Sequence, residues 1–547
     1  MSALSLDYPS ALVALQSRGR FGIHLGLSRT EALLAALDHP ERTFRGALIA
    51  GTNGKGSVLA LLTSALAAAG YRVGSTPKPH LVTYRERAQI GGVPISPERF
   101  AELASRVLPL ADRVAKRHGD PTEFELLTAM TFLWFAESKV DLAVVEVGLG
   151  GRLDATHAWD GGVATITNVT LDHMDRLGNT VEAIAQEKAA IVMRGDLAVT
   201  GAWGSALDIV ERRCRRVAAP LTVVPAAPLI VEDRDGIEVD LDRLGPTRIG
   251  LRGGHQAANI AVADATLDAL ERAGIAHVED EARRAGYATV HWPGRMELIE
   301  VESDRLSGAR RPHERGWRGR PPESGPGRPP ESGPGRPQES GGPSAVFPQV
   351  SGGSASGGAP GPTIGSTSGS ASGSASGSAP WSAVQAPNAG PGARARGREV
   401  LLDGAHNPAG AAALARGLDE LAPFLTSGRP TLVMAIMADK DVDGVVRALA
   451  GANYLRNARV ICTTPEGGRA LPAVGLAARW QALTGRAAVA VPEPEAALNA
   501  ALAAGDGPIV VAGSLYLVGA ARALLVDDPL LQPDPPIPAP PDSVSVP

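Results

Sequence analysis

The sequence predicts an α/β protein of two domains with mostly parallel sheets, interrupted by one long low-complexity insertion. Three observations predict it. Short apolar runs of strand type alternate with helical stretches on both sides of a composition break. The first of those runs enters a glycine loop that opens a helix. The break itself, from about residue 302 to 396, is dominated by Gly, Pro, Ser, Ala and Arg and holds almost no aliphatic side chains.

Taken in order, Gly46-Ala-Leu-Ile-Ala50 reads as a buried strand, followed by Gly51-Thr-Asn-Gly-Lys-Gly-Ser57 and a helix through Val58-Leu-Ala-Leu-Leu62. Leu142-Ala-Val-Val-Glu-Val147 and Ala164-Thr-Ile-Thr-Asn-Val169 are two further buried strands. Beyond the break, Val400-Leu-Leu402, Thr431-Leu-Val-Met-Ala435 and Pro508-Ile-Val-Val-Ala512 repeat the pattern. The first domain is therefore assigned to residues 1–293, and the second to 294–302 with 398–532. Residues 303–397 form the insertion and 533–547 a second disordered tail. The insertion repeats GRPPESGP from Gly319, and cannot bury enough apolar surface to offset the entropy of ordering it. It is expected to leave the fold as a loop between Glu297-Leu-Ile-Glu300 and Val400-Leu-Leu402, since closure entropy grows only logarithmically with length.

Composition narrows the functional classes. The chain has 547 residues, too many for one ordinary core, and 44% are hydrophobic. A net charge of −5 lacks the basic excess of a protein that wraps nucleic acid. Cys214 and Cys462, the only cysteines, are too few for a disulfide framework or a thiolate metal site. No apolar stretch is long enough to span a bilayer, and the first residues do not read as a secretion signal. A soluble, cytoplasmic monomer with no membrane partner is expected.

The glycine loop carries the chemistry. Strand, glycine turn, Lys, hydroxyl residue and helix are what triphosphate binding requires: converging backbone N–H groups, a helix N-terminus, a cation and a hydroxyl for Mg²⁺. Thr52, Asn53, Gly54, Lys55, Gly56 and Ser57 would supply them. The common pattern G-x-x-x-x-G-K-[ST] is nevertheless broken, because Ile49 stands at its first Gly and Gly56 separates Lys55 from Ser57. On the loop alone, a glycine turn with a solvated Lys55 remains open.

Other stretches decide the matter. Pro79-His-Leu81 with Arg85-Glu-Arg87, Pro121-Thr-Glu-Phe-Glu125, Glu146-Val-Gly-Leu-Gly-Gly-Arg-Leu-Asp-Ala-Thr156, Leu171-Asp-His-Met174, Ile184-Ala-Gln-Glu-Lys188, His255-Gln-Ala-Ala-Asn259, Trp292-Pro-Gly-Arg295 and Leu402-Asp-Gly-Ala-His-Asn-Pro408 follow one another along the chain. With the glycine loop, they resemble the folate branch of the Mur ligase superfamily, folylpolyglutamate synthase and dihydrofolate synthase. The resemblance covers nearly everything outside the insertion and tails. It implies an N-terminal P-loop-type ATPase domain and a C-terminal Rossmann-like domain with ATP between them. It also implies carboxylate activation as an acyl phosphate, attack by the amino group of L-glutamate, and a folate or dihydropteroate acceptor.

The same resemblance implies roles for single residues. Glu146 ends a hydrophobic strand where ligands bind, and an acidic group there must be paired or metal-bound. It would hold Mg²⁺ (one or two ions) together with Ser57 and His173. Lys188, which on its own is a helix lysine, would be carbamylated, a reaction that needs a neutral amine and hence a depressed pKa. Lys55, His173 and Lys188 form the expected catalytic group. Asn259, Arg295, Asp403 and His406 would contact ATP, with the last three contributed by the second domain. The pterin is expected near residues 121–125 and the 79–87 loop. Asp439-Lys-Asp441 matches a family turn with no assigned role.

One departure bears on the chemistry. Where the family has a serine that helps ligate metal, this chain has Lys78, whose ammonium is expected to replace one Mg²⁺. Two rival readings are a Mur-type ligase acting on a peptidoglycan precursor and an ATP-binding interaction protein with a decayed site. The Gly-Lys-Gly-Ser ending of the loop argues against the first, and retention of Lys55, Ser57, Glu146, His173, Lys188 and Asp403 against the second.

Overall fold

A computed structural model describes residues 6–18, 26–301, 397–465 and 470–535, all within one compact unit. Eight strands form the first sheet: β1 (Gly46–Ala50), β2 (Val73–Thr76), β3 (Gln89–Ile90), β4 (Val93–Pro94), β5 (Leu142–Glu146), β6 (Gly162–Ile166), β7 (Leu197–Thr200) and β8 (Leu221–Val223). Their order is β4-β3-β2-β5-β1-β6-β7-β8, parallel from β2 to β8, with antiparallel β3 and β4 at one edge. The continuous apolar runs follow from burial on both faces. Leu48, Ala50, Ala143 and Val145 point into a core shared with the Pro97–His118 and Glu123–Glu137 helices. Ala47, Ile49, Leu142 and Val144 point into the opposite core, shared with the Lys55–Ala68 and Gln256–Arg272 helices.

A small antiparallel sheet of β9 (Leu229–Asp233), β10 (Gly236–Leu241) and β11 (Gly245–Ile249) follows. The second large sheet contains β12 (Glu297–Val301), β13 (Arg398–Asp403), β14 (Thr431–Met434), β15 (Arg459–Cys462), β16 (Val489–Ala490) and β17 (Ile509–Ala512). Its order is β12-β13-β17-β14-β15-β16, parallel except for β12. Leu401, Leu432, Met434 and Val510 face one core and Val400, Leu402, Val433 and Val511 the other.

The α/β expectation holds, with mixed rather than purely parallel sheets: the antiparallel members are short edge strands and the β9–β11 meander. Of the expected insertion, 303–396 lie outside the described residues, as does Glu302 before it. The chain leaves β12 at Val301 and re-enters β13 at Arg398, and those two residues pair directly. Of the expected tail, 536–547 lie outside the described residues, whereas Asp534 is hydrogen-bonded into the fold. Proline content, which marks the tail in the sequence, does not register one carboxylate with distant partners. Among the described residues no helix is long and apolar enough to cross a membrane.

Candidate active site

The ends of β1, β5 and β6 place the glycine loop. Its backbone is pinned from β6: the N–H of Thr52 donates to the Asn168 carbonyl at 2.9 Å, and that of Asn53 to Asn168 Oδ1 at 3.0 Å. The Thr52 hydroxyl donates to the Thr170 carbonyl at 3.0 Å. Gly54 adopts φ +82°, and a Cβ there would lie 2.1 Å from Asn259 Oδ1, so the turn needs glycine and Asn259 buttresses it. Asn259 is itself buried, its amide donating to Gln256 Oε1 at 2.7 Å. Gly56, which breaks the common pattern, faces the Trp292 indole, 3.1 Å from where a Cβ would sit. Ser57 is buried in the first turn of the Lys55–Ala68 helix.

Two ammonium groups converge on one carbonyl. Lys55 Nζ donates to the carbonyls of Gly51 at 3.0 Å and Thr52 at 3.1 Å, and Lys188 Nζ donates to Gly51 at 2.8 Å. Burial, then the Lys55 charge, pushes Lys188 down to about 7. Lys55 is lowered by the same burial, opposed by Glu146 and Asp172.

Glu146, at the end of β5, is 2% exposed. Its Oε2 accepts the Lys78 backbone N–H at 2.9 Å. The Lys78 ammonium goes to the main-chain carbonyl of Glu146 at 2.6 Å and lies 4.6 Å from the centre of the Phe124 ring. Burial pushes Lys78 down to about 8, against the attraction of Asp154 and Glu146. The Glu146 carboxyl is raised by burial, with Lys55 and Lys78 opposing. The glycine stretch after β5 is organised by Asp154, which accepts the N–H groups of Gly148 at 3.0 Å, Leu149 at 2.9 Å and Thr156 at 3.0 Å. The two expected pterin segments meet as well, through the Tyr84 hydroxyl on Glu123.

The second sheet supplies the facing wall. Asp403 ends β13 and accepts the N–H groups of Met296 at 2.9 Å and Ala405 at 2.8 Å. Burial raises its carboxyl, opposed by Arg295. Arg295 lies beside Gly404, and burial lowers His406 to about 4. The two walls touch at Asp172. Its carboxylate accepts from Lys440 Nζ at 3.0 Å and Asn407 Nδ2 at 2.9 Å, and Asn407 also donates to Asn53 Oδ1 at 3.1 Å. Burial alone would raise Asp172, yet His173, Lys440 and Asn407 together hold it well below the usual carboxylate range. His173 takes a left-handed conformation, φ +50°, with Nε2 3.4 Å from the Lys440 ammonium.

The expected residues therefore fall into three groups around one cleft: the loop with Lys55 and Lys188, Glu146 with Lys78, and Asp403 with Arg295 and His406. His173 belongs with Asp172 and Lys440 in this arrangement. Sequence reasoning missed Asn407 and Asp172 as bridging residues and left Lys440 without a role. Among the described residues no cluster of three or more His, Cys, Asp and Glu marks a metal site. Ser57 and Glu146 still present the hard oxygen donors that Mg²⁺ prefers, and a buried carboxylate raised by desolvation fits a divalent cation.

This arrangement, a phosphate loop facing a second α/β domain across a cleft of cations and two buried strand-end carboxylates, defines an ATP-dependent ligase of the Mur type. The Mur ligase middle domain matches residues 49–200, and the Mur ligase glutamate ligase domain matches residues 392–515. The dihydrofolate synthase/folylpolyglutamate synthase of Bacillus subtilis is 38% identical over 303 residues, covering 54% of this chain and 70% of that protein. The folylpolyglutamate synthase of Lacticaseibacillus casei is 31% identical over 316 residues, covering 54% and 71%. Among solved structures, Mycobacterium tuberculosis folylpolyglutamate synthase complexed with ADP and AMPPCP superposes with a TM-score of 0.70 at 27% identity, covering 96% of this chain and 100% of that one. The chain belongs to the dihydrofolate synthase/folylpolyglutamate synthase family.

Proposed function

We propose that the chain uses ATP to add L-glutamate to the carboxylate of a folate or of dihydropteroate, through an acyl phosphate. The observation that carries the reading is the convergence of Lys55 and Lys188 on the Gly51 carbonyl, with Glu146 at the neighbouring strand end. Phosphoryl transfer is chiefly a matter of positioning and charge stabilisation. Lys55 and the loop N–H groups hold the phosphates. Arg295 and His406, with Asn259 behind the loop, hold the rest of the nucleotide, and Asp403 fixes the turn that carries them. Ser57 and Glu146, joined by His173, would hold Mg²⁺, which neutralises phosphate charge.

Lys188 is the proposed carbamylation site: with its amine lowered to about 7, a substantial neutral fraction is available near neutral pH. Lys78 provides a fixed cation on the Glu146 main chain, in keeping with a site that needs only one ion there. A nucleotide complex with two fully occupied metal ions around Glu146 would remove that part of the reading.

The function is tested by ADP release from purified protein with L-glutamate, comparing dihydropteroate with tetrahydrofolate. Glutamate-dependent release with either acceptor supports the ligase, and activity with both marks it as bifunctional. No release with either, while a peptidoglycan precursor is turned over, would move the chain to the other Mur-type chemistry.

A further inference from the structure

Beside the glycine loop lies an open cleft, lined among others by Gly56, Lys78, Trp292, Arg295, Leu515 and Leu530. Its wall is the loop that carries Lys78, and that loop is held from both sides. Internally, the Glu86 carboxylate accepts the N–H groups of Leu81 at 3.0 Å, Val82 at 2.7 Å and Thr83 at 2.7 Å. From the second domain, the Leu515–Leu525 helix presses so closely that a Cβ on Gly519 would lie 1.8 Å from the Leu81 carbonyl oxygen.

The segment after that helix then crosses back to the first domain. It is tied at its start, where Arg522 pairs with both Glu297 at 3.1 Å and Asp528 at 3.0 Å. Midway, Arg85 Nη2 donates to the Leu530 carbonyl at 3.3 Å. At its end Asp534 makes three contacts with one carboxylate. Oδ1 accepts the hydroxyls of Tyr8 at 2.6 Å and Thr83 at 2.6 Å, and Oδ2 accepts the Tyr84 N–H at 2.7 Å. Charge-assisted bonds of this kind are stronger than neutral ones. All three donors belong to the first domain, and two of them lie in the loop that forms the wall.

We propose that Asp534 is a positioning residue of the substrate site, latching the 81–87 loop so that this cleft takes one of the two carboxylate substrates. Leu530 and Leu531 make the apolar part of the wall, and Lys78 and Arg295 provide the positive charge a carboxylate needs. Of the residues assigned to the nucleotide, Gly56 and Arg295 border this cleft and Asn259, Asp403 and His406 do not, so the two ligands meet at Arg295 while the latch, which holds the 81–87 loop, acts on the carboxylate substrate. The proposal rests on the ligase reading above.

The test uses the full chain and an Asp534→Ala variant. KM is measured separately for ATP, L-glutamate and the pterin acceptor, and limited trypsin digestion follows cleavage after Arg85 and Arg87. The expected result is a rise of at least about fivefold in KM for one carboxylate substrate, with kcat and the KM for ATP held within about twofold. Faster cleavage at Arg85 and Arg87 should accompany it, and the substrate whose KM moves identifies the occupant. Unchanged KM values, or a parallel loss in kcat and all three KM values with a lowered Tm, would overturn the proposal. Absence of glutamate-dependent ADP release in the unsubstituted chain would count against the ligase reading instead, while the proteolysis comparison still reports on the latch.

Discussion

Glu146 and Asp403 each end a strand of a large sheet, β5 between two parallel neighbours and β13 between parallel β17 and antiparallel β12, yet they are satisfied in opposite ways. Both are buried, and burial raises both carboxyls. Asp403 spends its two oxygens on its own domain, one on the Met296 N–H and the other on the Ala405 N–H. Glu146 receives one backbone N–H, and its remaining compensation comes from the ammonium groups of Lys55 and Lys78. Asp403 is thus an organiser of backbone, shaping the turn that presents Arg295 and His406. Glu146 instead faces the buried ammonium groups of Lys55 and Lys78, with Arg295 beyond, and these charges oppose the rise that burial imposes on its carboxyl. Both residues end a strand, and the local partners decide what each does.

The largest expected effect comes from removing the charge that is compensated by cations. Glu146→Gln should lower glutamate-dependent ADP release on the order of 10²- to 10³-fold, as loss of a directly acting electrostatic group does. Its stability should fall as well, because the buried Lys55 and Lys78 ammonium groups lose the carboxylate that faces them. A variant that unfolds at lower temperature while keeping near-normal turnover would reverse the assignment. Asp403→Asn is the complement. One carboxylate oxygen becomes an NH₂ facing a backbone donor, so stability should fall by about 1–3 kcal/mol in a denaturant titration. Activity should fall less than in Glu146→Gln. Equal losses in the two variants would mean that Asp403 also touches the reacting groups.

A third carboxyl meets the same burial problem by keeping its proton. Glu232 on β9 faces Glu420 on the Pro408–Leu421 helix, so two acids oppose each other where the first domain meets the second. Burial and then the Glu420 partner raise Glu232 from 4.5 to about 7. Between these values the unfolded chain has released the proton and the folded chain retains it. Folded protein then binds more protons than unfolded, so stability falls as pH rises from 4.5 through about 7. Thermal unfolding across that range should show the decline, and Glu232→Gln should flatten it. An identical slope in the variant would assign the pH dependence to other groups.

What the sequence made legible follows the same division. The glycine loop, the strand bearing Glu146 and the strand bearing Asp403 were readable because each is local: apolar run, turn and functional residue lie within a few positions. Asn407, Lys440 and Asp534 were not. Their partners lie 235, 268 and 451 positions away along the chain, and no periodicity or composition encodes which distant carboxylate or hydroxyl they meet. Gly56 illustrates the same boundary: its departure from the common loop was visible, but its cause, the Trp292 ring against it, required the fold.

The smallest effect is expected at the other end of β13. Register pairs Glu297 with Leu402, beside Asp403, and Val301 with Arg398, where the chain departs and returns. Four strand steps separate those pairs, roughly 14 Å at the usual rise. Replacing residues 303–396 by a short turn therefore leaves the β12–β13 ladder and its Asp403 end in place, because Val301 and Arg398 already face each other. Each halving of the connection should raise stability by about 0.6 kcal/mol through loop closure, and kcat should stay within about twofold. A steady-state comparison of the shortened and full chains measures this directly. A large drop in kcat with an unchanged Tm would assign residues 303–396 a part in the reaction that the Val301–Arg398 junction gives no reason to expect.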